Sequence, residues 1–203
     1  SGKKISATGK YKIFPILGTA TMTIGLVLMS TLNEDTSFAI LSIYAVLVGA
    51  GLGLSMQTIV IALQNAVDFQ DMGIATSSNT FFRSLGGAFG TAIFGTILSN
   101  RITYYLQDNF AKLQISDPAA LSDFDSSKLD LITTNTSIIT TLPPVIQDTV
   151  LHSFAQTFQV VFFAAAPITF LGFILAFFLK EKPLQSSSDH HAAKAEAAGE
   201  AVG

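Results

Sequence analysis

Hydrocarbon does not solvate charge, and the charges of this chain are sorted as if around hydrocarbon. Of the charged side chains, 11 basic and 14 acidic in 203 residues, only Arg83 falls within four apolar stretches, 13–32, 38–67, 73–100 and 153–179. The stretches hold 20, 30, 28 and 27 residues, and a helix needs roughly 20 predominantly apolar residues to cross the bilayer core. Charged residues make up 12% of the chain, against about 25% in a soluble domain. The pattern predicts an all-α membrane protein with four transmembrane helices. It disfavours a soluble globule and a disordered chain, and zero cysteines exclude a disulfide scaffold, a thiolate nucleophile and Cys-ligated metal. No basic stripe points to nucleic acid, no catalytic or metal constellation points to an enzyme, and no cofactor motif is present.

The chain starts at Ser1 without a methionine, inside a basic polar stretch, and has no signal peptide. It reads as the C-terminal part of something longer, with the missing N-terminal helices as its partners. The expected organisation is a cytoplasmic basic loop at 1–12, a four-helix segment at 13–182 and a disordered cytoplasmic tail at 183–203. The crossings are placed at about 13–32, 38–67, 76–100 and 153–179, with an external loop at 101–152. Orientation follows from lysine and arginine, which short cytoplasmic loops collect. Lys3, Lys4, Lys10, Lys12, Lys180, Lys182 and Lys194 lie on the side of the two ends, whereas Arg101, Lys112 and Lys128 lie in the long loop facing the other way. Both ends are therefore expected to be cytoplasmic, in a multi-pass protein of the cell membrane.

Within 101–152, Ile102, Tyr105, Leu106, Phe110 and Leu113 fall near helical spacing, which predicts that the third helix continues beyond the bilayer. Pro143 and Pro144 are expected to start the helix leading into the fourth span, and the Ser/Thr/Asp-rich middle is expected to be loop. Asn135-Thr136-Ser137 matches a glycosylation sequon by chance, and His190-His191 lacks partner ligands for a metal. The fourth span holds eight of the 17 phenylalanines and Pro167, a composition that expects lipid on most faces and a kink at the proline.

Candidate functional residues lie on the second and third spans. Gly49, Gly53, Gln57 and Gln64 recur at steps of four, four and seven, on one face of the second span with Asn65 beside it and Tyr44 earlier on the helix. Small residues admit a neighbouring helix, and uncharged amides in hydrocarbon need partners or a water-filled cavity. The face therefore lines a substrate pathway or packs through interhelical hydrogen bonds; both readings stay open on the residues alone. Arg83 is either an interfacial anchor, snorkelling to the headgroups or pairing with Asp68 or Asp71, or half of a gating ion pair. Gly86 and Gly90 form a close-approach face for another helix; the run Gly86–Gly90 follows no strand and is no dinucleotide loop. No Asp or Glu occurs in any span, so a proton-carrying carboxylate must lie elsewhere.

Gly2, Gly9 and Lys10 resemble a degenerate copy of the cytoplasmic loop signature of the major facilitator superfamily, with Ser6 and Ala7 where acidic and basic residues would stand. A longer resemblance runs through Gly49-Ala50-Gly51-Leu52-Gly53, Gln64-Asn65, Asp71-Met72-Gly73-Ile74-Ala75-Thr76 and Arg83-Ser84-Leu85-Gly86-Gly87-Ala88-Phe89-Gly90. That order is similar to the fourteen-helix drug:proton antiporter branch, over roughly residues 1–182. The resemblance implies that these are helices eleven to fourteen of an efflux transporter of amphipathic compounds, driven by the proton gradient and working by alternating access. It implies that the second span borders the central cavity, that the third helps form the interface between halves, and that the first and fourth are outer supports. A non-transporting four-helix scaffold or accessory subunit, and the same fold carrying another solute, are the alternatives.

Overall fold

A computed structural model describes residues 11–121, 132 and 136–179; the side chains of 69, 119, 120, 136 and 137 are outside the description. The loop signature at Gly2–Lys10, the middle of the long loop, Asn135 of the sequon, the lysines from Lys180 onward, the tail and His190-His191 lie outside the described residues. Among the described residues four α-helices are given bounds, α1 (Ile13–Met29), α2 (Phe38–Gln64), α3 (Met72–Ser116) and α4 (Pro144–Phe177). Short 3-10 turns stand at Phe69–Asp71, Pro118–Leu121 and Thr136–Thr141, and no strand occurs among the described residues. Three of the helices, α2, α3 and α4, are long and apolar enough to cross a membrane. The first, at 17 residues, is at the short end of the crossing range of about 17–25.

Helix lengths follow from what each must satisfy. At 45 residues, α3 is about 67 Å long at 1.5 Å per residue, more than twice a hydrocarbon core of about 30 Å. Part of it must therefore leave the bilayer, and Ile102, Tyr105, Leu106, Phe110 and Leu113 belong to the same unbroken helix. Helix α4 starts at Pro144, where a missing N–H costs nothing, and runs through Pro167 to Phe177.

Contacts divide the chain into two compact units. The first comprises residues 1–22, 49–86 and 169–203. Its small core is Tyr11 and Ala62, both buried, with Phe14, Ile61 and Leu179 packed against them. Here α1 and α2 meet through glycine. A Cβ built on Gly51 would stand 2.5 Å from the Gly18 carbonyl oxygen and 2.7 Å from the Met22 amide nitrogen. One built on Gly18 would run into the Ser55 hydroxyl. Gly51, Ser55, Thr58 and Ala62 are the buried residues of α2, spaced by four, three and four, so one helical stripe faces the partner. The hydroxyls of that stripe bond back to their own helix, Ser55 to the Gly51 carbonyl at 2.9 Å and Thr58 to the Leu54 carbonyl at 2.6 Å.

The second unit comprises residues 23–48 and 87–168. Its core joins Ile102, Leu106 and Phe110 of α3 to Ile146 and Val150 of α4, with Ile132 and Ile139 from the connection between them. Beside this core Asn109 donates to the Ser153 hydroxyl at 2.9 Å and to Gln156 Oε1 at 3.0 Å. The loop between α1 and α2 is tied to α4 twice. Gln159 donates to the Leu32 carbonyl and to Asn33 Oδ1, and His152 Nδ1 lies 2.8 Å from Glu34 Oε1. A backbone hydrogen bond and the bond to His152 hold the Glu34 carboxyl below the usual carboxylate range.

Two outcomes test this packing. In the intact protein, Gly51→Ala should destabilise by about 1–3 kcal/mol, because backbone of α1 blocks the new methyl; Gly49→Ala, whose Cβ meets nothing within 4 Å, should be neutral or better. Thermal unfolding followed by size-exclusion chromatography reads the difference. The Glu34 tie has a pH sign. A carboxyl depressed in the fold stabilises above its unfolded pKa, about 4.3, and loses that contribution as pH falls through the folded value. The protection factors of residues 33–36 against hydrogen exchange, taken relative to the intrinsic rate at each pH, should therefore fall as the pH drops below the usual carboxylate range, and Glu34→Gln should remove that pH dependence.

Candidate functional site

The period-four reading of α2 separates into two faces. Gly51, Ser55 and Thr58 are buried, while Gly49, Gly53 and Gln57 are exposed. A Cβ on Gly49 or Gly53 would meet nothing within 4 Å. Residues 51 and 53 are two positions apart, about 200° around a helix, so the glycines of this short run serve opposite sides. The amide of Gln57 is on the open side, and no hydrogen bond engages it among the described residues. Packing against α1 therefore does not account for Gln57.

Gln64 ends α2 half-buried and opens onto a cavity of about 590 Å³, which it lines with Met72, Gly73, Thr76, Ser77 and Thr80. The wall opposite Gln64 is the first two turns of α3, and its hydroxyls are half spent. Ser77 bonds the Gly73 carbonyl at 2.9 Å and Thr80 the Thr76 carbonyl at 3.0 Å, which leaves their oxygens as acceptors. The cavity thus offers amide and hydroxyl groups and no charge. Asn65 sits just past the helix end and is buried, its backbone N–H donating to the Ile61 carbonyl at 3.0 Å. Tyr44 is half-buried on α2 within the second unit, and of the pathway candidates Gln64 is the one that lines the cavity beside the start of α3.

Arg83 is exposed on α3 and forms no ion pair among the described residues. Of the alternatives for Arg83, pairing with Asp68 or Asp71 does not occur among the described residues. Asp71 to Arg83 is twelve residues of chain, about 18 Å of helix, beyond the reach of both side chains. Gly86 and Gly87 are exposed, and neither they nor Gly90 and Gly95 have a neighbour within 4 Å of a built Cβ. The glycines that do admit a helix are Gly18, Gly25 and Gly51; at Gly25 a Cβ would stand 2.7 Å from Val48 Cγ2. Sequence reasoning passed over Gly18 and Gly25, whose spacing of seven on α1 was the available signal. It also missed Asn109, Ser153 and Gln156, whose meeting depends on a hairpin of helices more than 40 residues apart in sequence. Among the described residues no cluster of His, Asp or Glu could hold a metal.

Compared with known proteins, the chain is 36% identical over 189 residues to an uncharacterized MFS-type transporter of Mycobacterium tuberculosis, covering 93% of this chain and 26% of the relative. It is 35% identical over 120 residues to the multidrug transporter protein MdtP of Bacillus subtilis, covering 59% of this chain and 22% of that protein. Over 195 residues it is 25% identical to a tetracycline resistance determinant of Streptomyces rimosus, covering 89% of this chain and 56% of that protein. No family model matches the chain, and no solved structure matches it. The chain spans about a quarter of the length of the first of these relatives. With its four apolar helices and its likeness to MFS-type transporters along 93% of its residues, the chain belongs to the major facilitator superfamily.

Proposed function

We propose that this membrane segment is the C-terminal four-helix part of a proton-coupled multidrug efflux transporter, which exports amphipathic compounds by alternating access. The observation that carries the reading is the open face of α2. Its glycines and Gln57 are turned away from α1, and the helix ends at Gln64 on an uncharged, hydrogen-bonding cavity. Such a wall suits solutes with an apolar body and few polar groups, because a concave site fixes orientation with a small number of polar contacts. The multidrug and tetracycline resistance names of two relatives support the same solute class. Gln57 is assigned to the substrate side, with Tyr44 further along the helix and Gln64 and Asn65 near the cytoplasmic mouth. Arg83, Gly86 and Gly90 are assigned to the moving interface, since among the described residues Arg83 has no ion-pair partner and a Cβ on either glycine would meet no neighbour within 4 Å. The apolar stretches hold no Asp or Glu, so the proton site belongs to the remaining helices, and two bundles rocking about a midplane site supply the motion.

Transport by the intact protein tests this. In inverted vesicles, uptake of lipophilic cations should collapse with an uncoupler; flux that ignores the uncoupler would remove proton coupling from the proposal. Gln57→Ala should change apparent affinity for the solutes that hydrogen-bond it by about 2- to 10-fold, the worth of one hydrogen bond. Expression should stay the same, and an unchanged substrate profile would return Gln57 to a packing role. Orientation is read separately. With both ends cytoplasmic, Ile115→Cys, at a position 84% exposed near the end of α3, should react with an impermeant thiol reagent added outside. Labelling only after permeabilisation would invert the topology.

A further inference from the structure

A groove between α3 and α4 in the second unit is sorted by polarity. Ile97, Asn100, Arg101 and Tyr104 stand at i, i+3, i+4 and i+7 on α3, and Val160 and Ala164 stand one turn apart on α4, around about 510 Å³. One part of the lining is aliphatic, Ile97, Val160 and Ala164. The other is Asn100, Arg101 and Tyr104, where the apolar run of α3 gives way to the polar sequence that follows Leu98. Arg101 is exposed and has no carboxylate partner: the ion pairs among the described residues are Lys112 with Asp108 and His152 with Glu34. A guanidinium presents a fixed fork of donors that matches a phosphate, and it is more weakly hydrated than an ammonium. Tyrosine favours the headgroup level of a bilayer, and Tyr104 is half-exposed beside Arg101, at 55%.

We propose that this groove binds an anionic phospholipid of the bilayer. Its phosphate lies at Arg101 with Asn100 and Tyr104 as further donors, and one acyl chain lies along Ile97, Val160 and Ala164. A free phosphate ion would use the polar rim and leave the aliphatic wall wet. A zwitterionic lipid would satisfy the wall but bring its own cation to Arg101. The phospholipid with net negative charge uses both parts, and the electrostatic contribution of one basic residue beside an anionic headgroup corresponds to about fivefold in occupancy.

The test uses the intact transporter, reconstituted in vesicles of phosphatidylcholine and phosphatidylglycerol in equal parts and then released in mild detergent. Co-purified lipid is counted by native mass spectrometry. Phosphatidylglycerol should be retained over phosphatidylcholine. Arg101→Gln should lower that retention about fivefold, Arg101→Lys should keep most of it, and Lys112→Gln should leave it unchanged. Ala164→Phe fills the aliphatic wall and keeps the charge, so it should also lower retention; Val160→Phe serves where that variant does not purify as a single species. Equal retention in Arg101→Gln and the parent, as expected if another helix of the intact protein covers the groove, overturns the proposal. So does displacement of phosphatidylglycerol by inorganic phosphate, or wall variants that have no effect.

Discussion

Inside hydrocarbon no solvent completes a hydrogen bond, so each polar atom of a spanning helix must be completed by protein or by what the protein encloses. Hydroxyl side chains meet that demand locally. Thr19 bonds the Pro15 carbonyl at 2.6 Å, Thr91 the Gly87 carbonyl at 2.9 Å, Thr96 the Ala92 carbonyl at 2.7 Å and Thr157 the Ser153 carbonyl at 2.7 Å. A hydroxyl has one donor, and the carbonyl one turn back accepts it. Thr58 and Thr157 are therefore fully buried without depending on another helix for their proton. An amide has two donors and an acceptor and is not closed by one such bond. Both donors of Asn109 are taken by Ser153 and Gln156, and Gln159 donates to the Leu32 carbonyl and to Asn33. Gln57, on the open face of α2, is completed by no described residue. This separates it from Ser42, Ser55 and Thr58 on the same helix, whose hydroxyls bond back to the carbonyls of Phe38, Gly51 and Leu54.

The helices were legible because charge exclusion is a property of composition along the chain and needs no knowledge of neighbours. The face of α2 was legible for a similar reason: steps of four place Gly49, Gly53 and Gln57 together whatever lies opposite. Which side of α2 meets α1 was not legible, since Gly51 carries the same residue type as Gly49 and Gly53, and only the position of Gly18 and Met22 distinguishes it. Glycine density on α3 drew the expectation of close approach there, yet density records permission, not contact. Among the described residues the close contacts are those of Gly18 and Gly25 on α1 and Gly51 on α2. The ties of Glu34 to His152 and of Gln159 to Asn33 join residues more than 110 positions apart. No local pattern marks either end of such a pair.

The two arginines of α3 carry a last constraint. Eighteen residues of one continuous helix separate Arg83 from Arg101, about 27 Å at 1.5 Å per residue, close to the thickness of a hydrocarbon core. Neither has an ion-pair partner among the described residues. A cation in mid-membrane costs at least about 2.5–3.5 kcal/mol by insertion scales, a cost that falls when the side chain snorkels to headgroups. Centring the helix so that each arginine reaches its own headgroup layer removes that cost at both ends together. Shifting α3 by two turns would draw one of them about 11 Å inward. Such a centring would leave the glycines at 86, 87, 90 and 95 between the two headgroup layers, and the length beyond Arg101 outside them, where α3 builds a core with α4. Between the two cations the helix holds no carboxylate. This stretch of α3 therefore offers glycines and apolar surface to a neighbour and no carboxylate that could carry a proton.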